Sequence, residues 1–193
     1  MKKLLTAVIF VLVAFTSAAQ AESTTPAWSC DALQNNYLPN NQRFSNSQMQ
    51  VMHRSFEYAR EYDLGWTLAA ISFRESSAGV NLKNPNDPSA GAHHVLATHV
   101  LNDFGMERTP SNIEMAMDML ASNFELSAHY ALRELKWWKN RHNGSWFLAV
   151  RSYNQGHFWR LSDPKLRERS YNYARNIQHT VRFMIDNCDW DKK

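Results

Sequence analysis

Apolar side chains recur every three to four residues along most of this chain, the spacing of helices rather than strands. Met52, Phe56 and Ala59 set that rhythm in a helix predicted from about Gln48 to Tyr62, with Ser45 or Ser47 as its cap. Asp63-Leu64-Gly65 breaks it. A second helix follows from about Trp66 to Ser76, apolar through Leu68-Ala69-Ala70-Ile71, and Gly79 suits its far end. Residues 80–92 hold Asn81, Asn84, Pro85, Asn86, Asp87, Pro88, Ser89 and Gly91, which is loop chemistry. A helix is expected over Ala92 to Phe104. Ser111 and Glu114 then bracket Asn112 and Ile113 as a capping box, opening a long helix out to about Arg141. Asn143-Gly144 turns the chain, Trp146 to Asn154 forms a short helix, and Pro164 opens a last one to about Asp186. No strand and no repeat is expected. The fold class is all-α.

The two ends change the picture. Lys2 and Lys3 precede an apolar run from Leu4 to Phe15, and Ala19-Gln20-Ala21 is a small-x-small pattern. Residues 1–21 therefore read as a secretory signal peptide cleaved after Ala21. The mature chain would be periplasmic or secreted. Glu22 stands where a lipoprotein anchor needs a Cys, and no later stretch is apolar enough to span a membrane. Residues 22–44 are polar, with Pro26, Pro39 and Asn at 35, 36, 40 and 41, and read as an N-terminal arm. Residues 45–193 are long enough for one sizeable core and hence one domain. The full chain carries +3, and loss of Lys2 and Lys3 leaves about +1. That is too little for a nucleic-acid binder. Cys30 and Cys188 are the two cysteines. In an exported chain they are expected to pair, stapling the arm to the last helix, the alternative being two free thiols.

Glu75 is the residue in this pattern best suited to chemistry. It sits where the apolar helix ends, in Phe73-Arg74-Glu75-Ser76. Apolar neighbours solvate a carboxylate poorly, and the helix C-terminus adds partial negative charge, so both raise its pKa. A carboxyl so placed can donate a proton near neutral pH, as cleavage of a glycosidic bond requires. The ordinary alternative is a solvated glutamate paired with Arg74.

Three short motifs in order weigh against that alternative. The stretch from Asp63 to Gly79, ending in Glu75-Ser76, resembles the first motif of the lytic transglycosylases with a soluble-transglycosylase (SLT), lysozyme-like domain. Ser152-Tyr153-Asn154-Gln155-Gly156 resembles the family's Ala-Tyr-Asn-Ala-Gly. Tyr173-Ala174-Arg175-Asn176-Ile177 is similar to its closing Tyr-Val-x-x-Val. The likeness covers about residues 48–185. It implies a lysozyme-like helical domain with a catalytic cleft, Glu75 as general acid and then base, and peptidoglycan glycan strands as substrate. Tyr153 and Asn154 would lie near the sugar acetamido groups and Tyr173 against the catalytic carboxyl; read from the residues alone, Tyr153 could fill the core, Asn154 could cap the turn at Gly156 and Tyr173 could pack inward from its helix. Ser76 follows the acid in the motif, and Asn84 or Ser89 would steady it.

One motif departs from the family. Gly91-Ala92-His93-His94 stands where Gly-Leu-Met-Gln is usual, so His93 and His94 would line the sugar cleft. Imidazoles can hydrogen-bond sugar hydroxyls through either nitrogen. With His99 they also invite a metal reading, but no Cys or His-Glu-x-x-His pattern accompanies them, so no metal or other cofactor is expected. Trp137, Trp138 and Trp159 would stack on sugar faces or simply pack. A hydrolase on the same fold would want a second carboxylate, for which Asp87 and Asp103 are the candidates. A non-catalytic wall-binding or secretion-scaffold module is the other alternative. By size, the enzyme would suit local wall opening for a secretion, conjugation or phage-related apparatus.

Overall fold

The structure is a computed structural model that describes residues 28–36, 43–160 and 163–191. The expected signal peptide and the Pro26, Pro39, Asn40 and Asn41 part of the arm lie outside the described residues. Within them the protein is mostly helical: α1 (Asp31–Asn36), α2 (Asn46–Ala59), α3 (Gly65–Ser76), α4 (Ala97–Asp103), α5 (Pro110–Ser122), α6 (Phe124–Arg141), α7 (Trp146–Gln155) and α8 (Pro164–Asn187). A small antiparallel hairpin interrupts them, pairing β1 (Ser89–Ala90) with β2 (Val95–Leu96). Among the described residues no helix is long and apolar enough to cross a membrane.

Local chemistry sets the boundaries. Ser45 caps α2 through a reciprocal box with Gln48. The cap before α5 is Thr109, followed by Pro110, rather than the box expected at Ser111 and Glu114. The long helix expected there is two helices. Asn123 leaves helical geometry (φ −125°, ψ 103°), and its side chain accepts from the Leu126 amide, ending α5 and starting α6. The helix expected from Ala92 starts only at Ala97, because residues 89–96 form the hairpin. The arm holds one short helix, α1, that its polar composition did not suggest.

α3 occupies the centre. Leu68, Ala70 and Ile71 belong to the main core with residues of α4 to α8. Ala69, Trp66 and Phe73 belong to a second cluster with Leu33, Met49, Met52, Phe56, Met184 and Trp190. A helix packed on two sides must be apolar on two sides, which is why its sequence lacks a polar stripe. Gly65 lets α2 and α3 cross closely, since a Cβ there would lie 2.7 Å from the Phe56 carbonyl oxygen. The second cluster is closed covalently: Cys30 and Cys188 form a disulfide that spans 158 positions of sequence.

Candidate active site

Glu75 is delivered by the last turn of this doubly packed helix, and its side chain is 17% exposed. Burial raises its pKa from 4.5 to about 7. The hydrogen bond from Tyr173 and the nearby Arg74 charge oppose the rise, whereas Asp87 and Glu134 add to it. Tyr173, on α8, donates its hydroxyl proton to Glu75 Oε1 at 2.5 Å. Its own pKa is pushed well above 10 by burial and by the facing carboxyl, so it remains a donor.

The hairpin loop Gly91-Ala92-His93-His94 closes over the same helix end. Gly91 is packed so tightly that a Cβ would sit 2.4 Å from Ser127 Oγ and 2.7 Å from the Leu120 carbonyl, and its φ is +84°. Ser76 Oγ donates to the Ala92 carbonyl at 2.7 Å, and Tyr153 donates to the His93 carbonyl at 2.8 Å. Two residues of the family-like motifs thus hold the backbone of the departing one.

The two histidines of that loop part company. His93 is fully buried, with Nε2 3.0 Å from Ser55 Oγ and Nδ1 3.1 Å from Ser127 Oγ. Burial and the neighbouring His94 push its pKa down to about 3, so it is neutral. It does not line a cleft, which corrects the expectation. Ser76 and Ser89 are likewise enclosed and hydrogen-bonded inside the protein, and are not substrate contacts. His94 turns the other way. Its Nδ1 lies 3.7 Å from Glu75 Oε2 and its Nε2 lies 2.7 Å from the Asn81 carbonyl oxygen.

Neither expected steadying group bonds Glu75. The Asn84 amide donates to Asp87 Oδ2 at 3.0 Å and Ser89 Oγ at 3.3 Å, bracing the loop instead. Asn154 accepts from the Gln155 amide at 3.0 Å. The groups brought to Glu75 are therefore Tyr173 and His94.

A groove of about 450 Å³ is lined by His99, Tyr130, Arg133, Glu134, Trp137, Trp138 and His157. Trp137 is 49% exposed there, while Trp138 is buried and donates through Nε1 to Glu134 Oε1 at 3.3 Å. His99 Nε2 lies 3.5 Å from Glu134 Oε2. Glu134, which lines the groove, is also among the charges that act on Glu75 and Tyr153. Sequence reading missed Glu134. The available signal was an acidic residue inside an aromatic stripe at helical spacing: Tyr130, Glu134, Trp137 and Trp138. Asp103 is engaged by Arg133 at the exposed end of α4 and is not among the charges that act on Glu75. Among the described residues no group of three or more His, Cys, Asp or Glu could hold a metal.

Comparison with known proteins adds one relative. The chain is 28% identical over 134 residues to a phage T4 protein described as an uncharacterised 20.7 kDa protein from the vs–regB intergenic region. The match spans 58% of this chain and 71% of that protein. No family model matches the chain, and no solved structure does either.

Proposed function

We propose that this protein is a peptidoglycan lytic transglycosylase with a lysozyme-like helical domain, acting outside the cytoplasm. The observation that carries the reading is Glu75: a largely buried carboxyl with a pKa of about 7, held on one oxygen by Tyr173 from 98 positions away. Near neutral pH such a group is about half protonated, so it can serve as acid and then as base. In the first step Glu75 gives its proton to the oxygen bridging MurNAc and GlcNAc, the bond from that oxygen to the MurNAc anomeric carbon breaks so that GlcNAc leaves with a free hydroxyl, and the acetamido oxygen of the same MurNAc bonds the anomeric carbon. In the second step ionised Glu75 takes the proton of the MurNAc C6 hydroxyl, whose oxygen bonds the anomeric carbon, displaces the acetamido oxygen and closes a 1,6-anhydro ring. No water and no cofactor enters. The 17% exposure of Glu75 gives the bridging oxygen access to it, and the groove that Glu134 lines offers the exposed Trp137 indole to a sugar ring. The disulfide suits an oxidising compartment.

Mass spectrometry of purified sacculi after digestion tests the reading. Anhydro-MurNAc ends from wild type, absent with Glu75→Gln, support it; equally little release from both proteins overturns it in favour of a non-catalytic wall-binding module.

The charges of Asp87 and Glu134 that act on Glu75 favour a second reading, a hydrolase in which one of these carboxylates positions water. Reducing ends in the same experiment, lost with Asp87→Asn or with Glu134→Gln, would select it.

A further inference from the structure

Glu134 is the carboxylate among the residues that line the aromatic groove, and its side chain is 18% exposed. A carboxylate has about four acceptor positions. The protein fills one of them, with Trp138 Nε1 on Oε1 at 3.3 Å. His99 Nε2 stops 3.5 Å from Oε2 and makes no hydrogen bond; among the described residues it is the buried side-chain nitrogen left without a partner. The guanidinium of the groove is committed elsewhere. Arg133 donates to Asp103 and lies 4.5 Å over the Tyr130 ring. Among the described residues no Lys or Arg pairs with Glu134. Oε2 therefore keeps its acceptor capacity and its share of an uncompensated charge.

The surroundings of that oxygen are flat and apolar. Trp137 follows Glu134 by three positions on α6, so the exposed indole and the carboxylate share one helix face. Trp138 meets the Trp137 ring edge-on at 4.4 Å, and His157 meets both rings edge-on at 6.2 and 4.7 Å. These contacts hold the indole in a set orientation. Arg141, which does not line the groove, lies 5.4 Å from the centre of the Trp137 ring, so this indole already attracts a cation. A volume of about 450 Å³ is in the range of small-ligand sites.

We propose that the groove binds a glycan unit with a free amino group, a glucosamine-type sugar whose ring lies on Trp137 and whose ammonium meets Glu134 Oε2. An ammonium brings three donors and one positive charge, which match the open acceptor positions and the charge of Glu134. An N-acetylated sugar brings one N–H and leaves that charge uncompensated. A sugar carboxylate would be repelled. The inference deepens the transglycosylase reading and rests on it for the polymer that carries the sugar. The sugar in the groove is not the MurNAc at the cleaved bond, whose acetamido group takes part in the reaction. The enzyme would thus prefer strands from which some acetyl groups have been removed.

The probes are the β-1,4 disaccharide of two glucosamines and the same disaccharide fully N-acetylated, in mildly acidic buffer where the amines are protonated. Their binding is read from the indole N–H signals of Trp137 and Trp138 by NMR, with wild type, Glu134→Gln and Trp137→Leu. Gln keeps an oxygen for Trp138 Nε1, and Trp137 is half exposed, so Leu there spares the core. Wild type is expected to bind the amino disaccharide about tenfold or more tightly than the acetylated one, with that preference lost in Glu134→Gln. Trp137→Leu is expected to weaken the amino disaccharide severalfold. Equal binding of the two sugars by wild type, or an amino-sugar affinity unchanged in either variant, overturns the site. Partly de-N-acetylated sacculi and the same sacculi re-acetylated then separate the two readings. Wild type is expected to release glycan severalfold faster from the first, and Glu134→Gln equally from both. Equal release by wild type overturns the strand preference while leaving the transglycosylase. No release from either, with amino-sugar binding intact, leaves the site and overturns the transglycosylase.

Discussion

Replacing Glu75 with Gln should stabilise the protein, and only on the alkaline side. The structure raises the Glu75 pKa from 4.5 to about 7 through burial. The folded state therefore binds this proton more tightly than the unfolded chain does. Its contribution to stability is complete below pH 4.5 and is lost as pH rises through about 7. At about 1.36 kcal/mol for each pH unit between those values, ionised Glu75 costs the fold about 3 kcal/mol above pH 8. Gln is neutral at every pH, and its amide oxygen can still accept from Tyr173. Every other titrating group, His93 included, is common to both proteins and drops out of the difference. For a domain of this length, 1 kcal/mol moves Tm by about 2–4 °C. Calorimetric scans should therefore find Glu75→Gln and wild type nearly equal at pH 4, with the variant about 6–12 °C higher at pH 9. A difference that does not change with pH, or a variant less stable at pH 9, would refute a buried, neutral Glu75. The measurement needs no substrate and is independent of the proposed function.

Tyr173→Phe removes the hydroxyl that favours the ionised carboxylate, an interaction worth about 1.5–3 kcal/mol. The Glu75 pKa should climb from about 7 toward 8 or 9 in an NMR titration, and in the proposed reaction the alkaline limb of the pH–rate profile should follow it. Gly91→Ala meets Ser127 and the Leu120 carbonyl at a positive φ, so chemical denaturation should show a loss of about 3 kcal/mol or more. Reducing Cys30–Cys188 frees a loop spanning 158 positions and should cost on the order of 5 kcal/mol, read as a lower denaturant midpoint with reductant present. Glu134→Gln removes a negative charge that acts on Glu75 and should lower the carboxyl's pKa in an NMR titration.

What was readable beforehand follows from range. The helices announced themselves because a 3.6-residue rhythm repeats over many turns, and Ser45 with Gln48 or Pro164 marks a start by local bonding alone. The break at Asn123 was hidden because apolar positions continue through it; only the Asn side chain on the Leu126 amide betrays a new cap. The hairpin was illegible because two-residue strands show no alternation. It forms through contacts across the loop, such as Gly91 N–H to the Leu82 carbonyl at 2.8 Å and the Asn84 side chain on Ser89. The same hairpin explains why adjacent histidines took opposite fates. On a helix they would have differed by a fixed angle; on a turn clamped by Ser76 and Tyr153, one is driven among Ser55 and Ser127 and the other toward Glu75. Their motifs single out Glu75 and Tyr173, and α3 meeting α8 makes the two neighbours.

The bridge from Cys30 to Cys188 makes the described chain a closed ring in the topological sense, with α3, the hairpin and α8 all on its circumference. One peptide-bond cut anywhere on the ring opens it without yielding two molecules. The turn at Asn143-Gly144 is the natural place for such a cut, since both residues are exposed and Gly144 has open space around it. A nick there would put Glu75 and Tyr173 on different polypeptide pieces, yet the sulfur link and the packing of α3 on α8 would keep donor and carboxyl in register. Met by a protease, this protein would lose the continuity of its chain before it lost the contact between Glu75 and Tyr173.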